Sequence, residues 1–203
     1  ALYDSWLDWV REDRNPPDLQ VLVHTALAHY QFETIHPYND GNGRVGRLAA
    51  VLQIMRSGAL SHPVLSISPW LRQNENEYKD HLLKVSTTGD WEPWITFFVE
   101  ALTVESQRAQ HRIGELLHLR ESLSEEVRQL LPRGRLAVDV VDDLIEFPVI
   151  SVGAVEHRYD KSNQAARNAV NRLIEVGLLE PFNDAKYDRL YWNPRVFQII
   201  QRS

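Results

Sequence analysis

His36-Pro37-Tyr38-Asn39-Asp40-Gly41-Asn42-Gly43-Arg44-Val45-Gly46-Arg47 is the stretch on which the reading of this chain turns. Within twelve residues it sets an imidazole, a carboxylate, a run of small and amide residues and two guanidinium groups. A Gly-rich turn exposes backbone N–H groups, a helix N-terminus behind it favours negative charge, and arginines grip phosphate oxygens in pairs. The set therefore suits a metal-bound polyphosphate. A plain interhelical turn explains Gly41 and Gly43 as positive-φ positions. It leaves His36, Asp40, and the arginines Arg44 and Arg47 one helical turn apart, unexplained.

Two other loop chemistries fail on spacing. A Walker-type loop needs Gly-x4-Gly-Lys-Ser/Thr, and no Lys follows Gly41 or Gly43. An EF-hand with Gly43 as its sixth residue would put Tyr38 at position one and Ala49 where a bidentate Glu belongs.

The segment resembles the signature of the Fic family, HxFx(D/E)GNGRxxR. Every specified position matches except that Tyr38 stands for Phe, which keeps the ring and adds a hydroxyl. The flanking HYQFETIHPYNDGNGRVGRL (29–48) and the later GDWEPWITFF (89–98) resemble bacterial Fic proteins with a C-terminal helical extension, so the resemblance spans roughly residues 2 to 105. It implies a protein adenylyltransferase that uses ATP and Mg²⁺. The product would be a Ser, Thr or Tyr hydroxyl of a target protein, or of the chain itself, carrying AMP, with pyrophosphate released. Removal of AMP, transfer of other nucleotides or phosphate donors, and a non-enzymatic nucleotide-responsive winged-helix regulator are the alternatives.

Physical chemistry assigns the implied roles. An imidazole titrates near neutral pH, so His36 can take the proton of an attacking hydroxyl as general base. Asp40 would hold Mg²⁺ through one carboxylate, leaving the rest of the shell to water and phosphates. Asn42 and the N–H groups around Gly41 and Gly43 would cradle the α-phosphate, and Arg44 and Arg47 the outer phosphates. By resemblance, Arg47 is also the residue an autoinhibitory glutamate engages. Tyr78 stands where relatives often have an aromatic pair lining the adenine pocket, although Lys79 replaces the second member, and adenine contact and ordinary helix packing both remain open for it. His24, His29, Trp70, Trp91 and Trp94 read as structural, the tryptophans as core.

Of the 203 residues, 43% are hydrophobic and 25% charged, enough for one sizeable core and a small second one. No run approaches the ~18–20 apolar residues of a membrane span, and no basic-then-apolar leader is present. With no cysteine, disulfides and thiolate metal sites are excluded, and a cytoplasmic location is the default expectation. The net charge of −6 argues against a nucleic-acid coat.

The expected fold is mainly α: a Fic-type helical core over 1–131, then a small winged helix-turn-helix domain with a short β-wing over 132–203. Turn signals set the helices. Asp18 after Pro16-Pro17 reads as an N-cap for a helix through Leu22, Ala26 and Tyr30 toward Ile35. The next begins near Gly43, turns Leu48, Val51, Leu52 and Met55 inward, and stops at Ser57-Gly58. A helix with Tyr78, Leu82 and Val85 ends at Gly89. Another starts at Pro93 and runs toward Leu119, where Ser122 and Glu125 read as a capping box that restarts the chain. Pro132-Arg133-Gly134 marks the expected boundary.

Beyond it, helices are expected over 136–145, 152–158 and 163–176, then a wing from 177–180 and 189–192 around Asn183-Asp184. Asn163, Gln164, Arg167 and Asn168 are the outward residues for DNA or partner contact. Ten basic side chains in 133–203 meet ten acidic ones, so the segment is neutral. That balance favours protein docking or homodimer formation over DNA binding, with Arg158, Lys161, Arg167 and Arg172 as a local basic cluster. Neither an (S/T)xxxE(G/N) regulatory helix nor a β-hairpin flap precedes the motif, and the nearest match, Thr88 with Glu92, is followed by Pro93. The reading is of a C-terminal piece of a longer protein, freed of a restraint on Arg47.

Overall fold

The computed structural model describes residues 2–11, 18–185 and 188–202. The chain forms two compact units, Ala1–Ala109 and Gln110–Ser203. Among the described residues, no helix is long and apolar enough to cross a membrane.

In the first unit, α1 (Leu2–Arg11), α2 (Asp18–Ile35), α3 (Asn42–Arg56), α4 (Ser68–Gln73) and α5 (Glu75–Thr88) are joined by α6 (Glu92–Leu130) as far as Ala109. The helix α2 is its axle. Apolar residues surround α2 on most sides because it packs on neighbours on most sides: Ala26, Ala28 and Phe32 are all fully buried. Two indoles pin its backbone, Trp6 Nε1 donating to Ala28 O and Trp94 Nε1 to Ala26 O, each at 2.9 Å. Trp94 itself lies at the centre of a core with Tyr30, Ile54, Trp70, Phe97 and Phe98. Helix α2 begins at Asp18, but Pro16 and Pro17 and the Asp18 side chain, on which the expected N-cap depends, lie outside the described residues.

The inward face of α3 differs from expectation. Leu48 and Leu52 point to solvent at 57% and 52% exposure, whereas Gly46, Ala50, Val51 and Ile54 are buried. Gly46, Ala50 and Ile54 follow one another at four-residue steps, so the small side of α3 meets α2 and brings the two helices close. Trp91 also departs from the core reading: it stays 37% exposed while its ring meets Tyr30 edge-on at 4.8 Å.

The second unit takes in α6 from Gln110 onward. The expected restart at Ser122 does not occur. Leu116, Leu119, Leu123 and Val127 continue one apolar stripe through it, and with no Gly or Pro there nothing stops the helix. Ser124, near that point, donates its hydroxyl to Arg120 O instead of capping. The turn at Pro132-Arg133-Gly134 lies inside this unit, since Leu123 and Val127 before it share a buried cluster with Ala137 and Val140 after it.

The rest of the unit runs α7 (Arg135–Asp142), a 3-10 turn (Asp143–Ile145), β1 (Val149–Ser151), α8 (Val152–Tyr159), α9 (Asn163–Glu175), β2 (Glu180–Pro181), β3 (Leu190–Trp192) and α10 (Pro194–Gln201). The strands form an antiparallel sheet in the order β1-β3-β2, with Val149 opposite Trp192 and Pro181 opposite Tyr191. Side-chain caps start three helices here. Ser151, Ser162 and Asn193 accept from the N–H groups of Ala154, Ala165 and Val196 at 3.1, 3.3 and 3.0 Å.

Candidate functional site

The site is built where α2 stops and α3 starts. His36 closes α2, its N–H bonding Phe32 O at 3.0 Å, and then adopts φ 47°, in the left-handed region that costs a non-glycine residue about 1–2 kcal/mol. That backbone turn puts the imidazole in the open. Its Nδ1 reaches Glu33 O at 3.4 Å. A hydrogen on Nδ1 leaves the Nε2 lone pair free to accept a proton.

Asn42 shapes the loop. It is 3% exposed, accepts from the Tyr38 N–H at 2.9 Å, and donates to Tyr38 O at 2.6 Å. The amide expected to face a phosphate thus clamps the turn from inside. Gly41, at φ 87°, precedes α3 and supplies no side-chain cap, and no acidic residue stands in the first turn. The α3 N-terminus therefore keeps an uncapped positive end of its dipole directed at the loop.

The charged groups stand around that end. Arg44 Nη2 lies 3.0 Å from Asp40 Oδ2, with the side chains 75% and 90% exposed. Arg47 folds back instead. Its Nε donates to Ser68 Oγ at 2.9 Å, and its Nη1 lies 2.9 Å from where a Cβ on Gly43 would sit. Of the two glycines flanking Asn42, Gly41 is needed for its φ, while the bare Gly43 gives the Arg47 guanidinium room to lie close.

Beneath Arg47 is a buried polar group that the sequence reading did not connect. His29 is fully buried and its Nε2 pairs with the Tyr78 hydroxyl at 3.0 Å. Burial, and to a lesser extent the Arg47 charge, hold the imidazole down to about 4, so it is neutral. Glu33 Oε1 is buried without a hydrogen-bond partner, 3.9 Å from His29 Nε2. Burial raises the Glu33 carboxyl, while the nearby His36 and Arg47 work in the opposite direction. Gly46 makes room for the group: a Cβ there would lie 2.8 Å from Glu33 Oε1 and 3.3 Å from His29 Cε1.

Tyr78 is half-buried, its ring packed near Trp94 and Phe97 at 5.9 and 6.5 Å and its hydroxyl paired with His29. Tyr38, in the place of the signature Phe, is 41% exposed, and its hydroxyl meets that of Tyr3 at 2.8 Å. Among the described residues, no cluster of three or more His, Cys, Asp or Glu side chains could hold a metal by itself. Asp40 is the exposed carboxylate of the loop, and one such hard oxygen fits Mg²⁺, which takes its remaining ligands from water and phosphate.

The second candidate group lies elsewhere in the chain. Asn163, Gln164, Arg167 and Asn168 are all exposed on the first turns of α9. Asn163 Nδ2 donates to Glu156 at 2.6 Å and Gln164 Nε2 to Asn168 Oδ1 at 2.8 Å. Asn163 and Arg167 line a cleft of about 720 Å³ with Glu156, Asp188, Arg189 and Tyr191, whose charges are mixed.

The turn thus gathers an exposed imidazole, an uncapped helix end, a carboxylate and two guanidiniums, and the comparisons with known proteins show what it is similar to. Residues 1–54 match the Fic/DOC family model. Relatives called Protein adenylyltransferase Fic are 34% identical over 98 residues in Drosophila yakuba, 34% over 100 in Drosophila willistoni and 33% over 98 in Aedes aegypti. These alignments cover 48%, 49% and 48% of this chain but only 18%, 18% and 17% of the relatives, so the chain spans a small part of their length. A solved Fic family protein from Desulfovibrio desulfuricans G20 aligns with 95% of this chain and 54% of its own, at 24% identity and a TM-score of 0.46.

Proposed function

We propose that the 36–47 turn binds ATP with Mg²⁺ and transfers AMP to a hydroxyl side chain of a protein. The observation that carries this reading is the exposed His36 imidazole at the end of α2, followed by a turn that the Asn42 bonds fix and by the uncapped N-terminus of α3. The name shared by the relatives points the same way.

In this reading the hydroxyl oxygen of the target attacks the α-phosphorus while its proton passes to His36 Nε2. The bond to pyrophosphate breaks as the new P–O bond forms. The N–H groups around Gly41 and Gly43 face the charge that shifts on the α-phosphate. Arg44 and Arg47 hold the outer phosphates, and Asp40 holds the metal, which neutralises phosphate charge when bound. Asn42 serves by keeping the loop in shape. Tyr78, through its ring, borders the nucleotide.

The target is a protein bearing a Ser, Thr or Tyr hydroxyl. The element order of residues 135–192, helix, strand, two helices and two strands in one antiparallel sheet, supports a winged-helix reading for that part. Its balanced charge favours a docking or self-association role, with Asn163, Gln164, Arg167 and Asn168 as contact residues.

The test is incubation with ATP labelled at the α or at the γ position, with and without a lysate as target source. Label from the α position should appear on protein and label from γ should not. His36→Ala should lose the signal, since a general base supplies about 10²–10⁴-fold, while retaining nucleotide binding. Transfer of the γ label would replace this reading with a kinase.

A further inference from the structure

The guanidinium of Arg47 does not float. Its Nε is taken by Ser68 Oγ at 2.9 Å, in a bond that spans 21 residues of sequence and is shielded in part from solvent. Ser68 opens α4, and its neighbours fix where its hydroxyl stands. Ile67, Trp70 and Leu71 are buried at 1%, 8% and 5% exposure, and the Leu71 N–H bonds Ile67 O at 3.1 Å. On the other side the missing side chain of Gly43 lets Nη1 settle over the first turn of α3. A guanidinium has two edges that can pair with an anion, the Nε edge and the Nη1–Nη2 edge. Ser68 occupies the first. The second is left to face the loop, where its two parallel N–H groups match two oxygens of one phosphate.

We propose that Ser68 is a positioning residue for Arg47: its hydroxyl, opposite the bare Gly43, turns the Nη1–Nη2 fork toward the outer phosphates of the nucleotide. The inference rests on the nucleotide-binding reading above and adds to it a residue outside the signature. The neutral hydroxyl is suited to the task, because a carboxylate at the same place would neutralise the guanidinium and compete with phosphate. The ligand class follows too. A nucleotide with a β-phosphate gains from the aligned fork, and a monophosphate does not reach it.

The experiment measures binding of ATP-Mg and of AMP by titration calorimetry to Ser68→Ala, Ser68→Val, Ser68→Thr, Arg47→Ala and the double variant Ser68→Ala/Arg47→Ala, each checked for folding by thermal melting. Loss of the hydroxyl in the Ala and Val variants should raise the ATP-Mg Kd about 3- to 10-fold and leave AMP unchanged, and Thr should restore wild-type affinity. In turnover, KM for ATP should rise more than kcat falls. On the Arg47→Ala background, removing the hydroxyl should add nothing. Wild-type ATP-Mg affinity in both hydroxyl-free variants while Arg47→Ala weakens binding overturns the role of Ser68 alone. So does a further loss in the double variant. If Arg47→Ala itself binds ATP-Mg as well as wild type, the nucleotide reading of the loop falls, and the role of Ser68 with it.

Discussion

Replacing Gly46 by Ala tests the packing under the motif most directly. In an exposed helix the change stabilises by about 1 kcal/mol, because glycine is the freer residue in the unfolded chain. At Gly46 the added Cβ would stand 2.8 Å from Glu33 Oε1, 3.1 Å from Phe32 Cδ1 and 3.3 Å from His29 Cε1. Phe32 and His29 are themselves fully buried and cannot swing aside, so the helix must shift or the carboxylate must leave its place. Three atoms closer than 3.4 Å put the overpacking at about 2–3 kcal/mol, which outweighs the helical gain and leaves a net loss of roughly 1–2 kcal/mol. For a unit of this size that lowers its Tm by about 5–15 °C. Gly114→Ala is the control: Gly114 lies inside α6 with nothing within 4 Å of the new Cβ, so the same substitution should stabilise by about 0.5–1 kcal/mol. Calorimetric melting and urea unfolding of both variants decide the matter. If Gly46→Ala melts at or above the wild-type temperature while Gly114→Ala behaves as stated, the carboxylate does not occupy the space that the glycine leaves.

Other consequences are as concrete. His29 sits neutral at about 4 in the folded chain against about 6.5 unfolded, so stability is full above pH 6.5 and falls as pH drops toward 4, with a slope approaching 1.4 kcal/mol per pH unit. The raised carboxyl of Glu33 acts with the opposite sign, adding stability at low pH that is lost as pH rises through its folded value. Urea midpoints measured from pH 7 to 4 should therefore flatten in His29→Phe, and an unchanged slope there would contradict the burial of a neutral imidazole. Asn42→Ala removes both bonds to the Tyr38 backbone and should cost about 1–3 kcal/mol, with faster hydrogen exchange at the Tyr38 amide as its local signature. Tyr38→Phe restores the signature residue and removes only the exposed bond to Tyr3, so urea unfolding should move by no more than about 1 kcal/mol and ATP-Mg affinity should not move at all.

The elements with local punctuation were legible in the sequence. Gly41 and Gly43 announced the turn, Gly89 the end of α5, and the α8 and α9 boundaries fell within a residue or so of expectation. What failed was whatever depends on the partner. Leu48 and Leu52 look like a core face until Gly46 and Ala50 are seen to be the side that α2 can approach. Ser122 and Glu125 carry a capping pattern, but the Leu119–Leu123–Val127 stripe continues through them and wins. Helices α1 and α10 and strand β1 were not anticipated, being short and held by tertiary contacts. At the site, sequence located the signature residues but not Ser68, Glu33 or the spatial role of Gly46. Each of those acts across the fold, and no spacing rule ties positions 21 or 13 apart.

The Asp40–Arg44 pair has a consequence for selectivity. Both partners stand in water, so separating them costs little, on the order of 1 kcal/mol or less. A cation arriving alone at the carboxylate strands the guanidinium, and an anion arriving alone at the guanidinium strands the carboxylate. A species carrying both signs at the right distance satisfies the two at once. Under the nucleotide reading proposed above, the pair would favour joint arrival of metal and polyphosphate over either alone by no more than about fivefold.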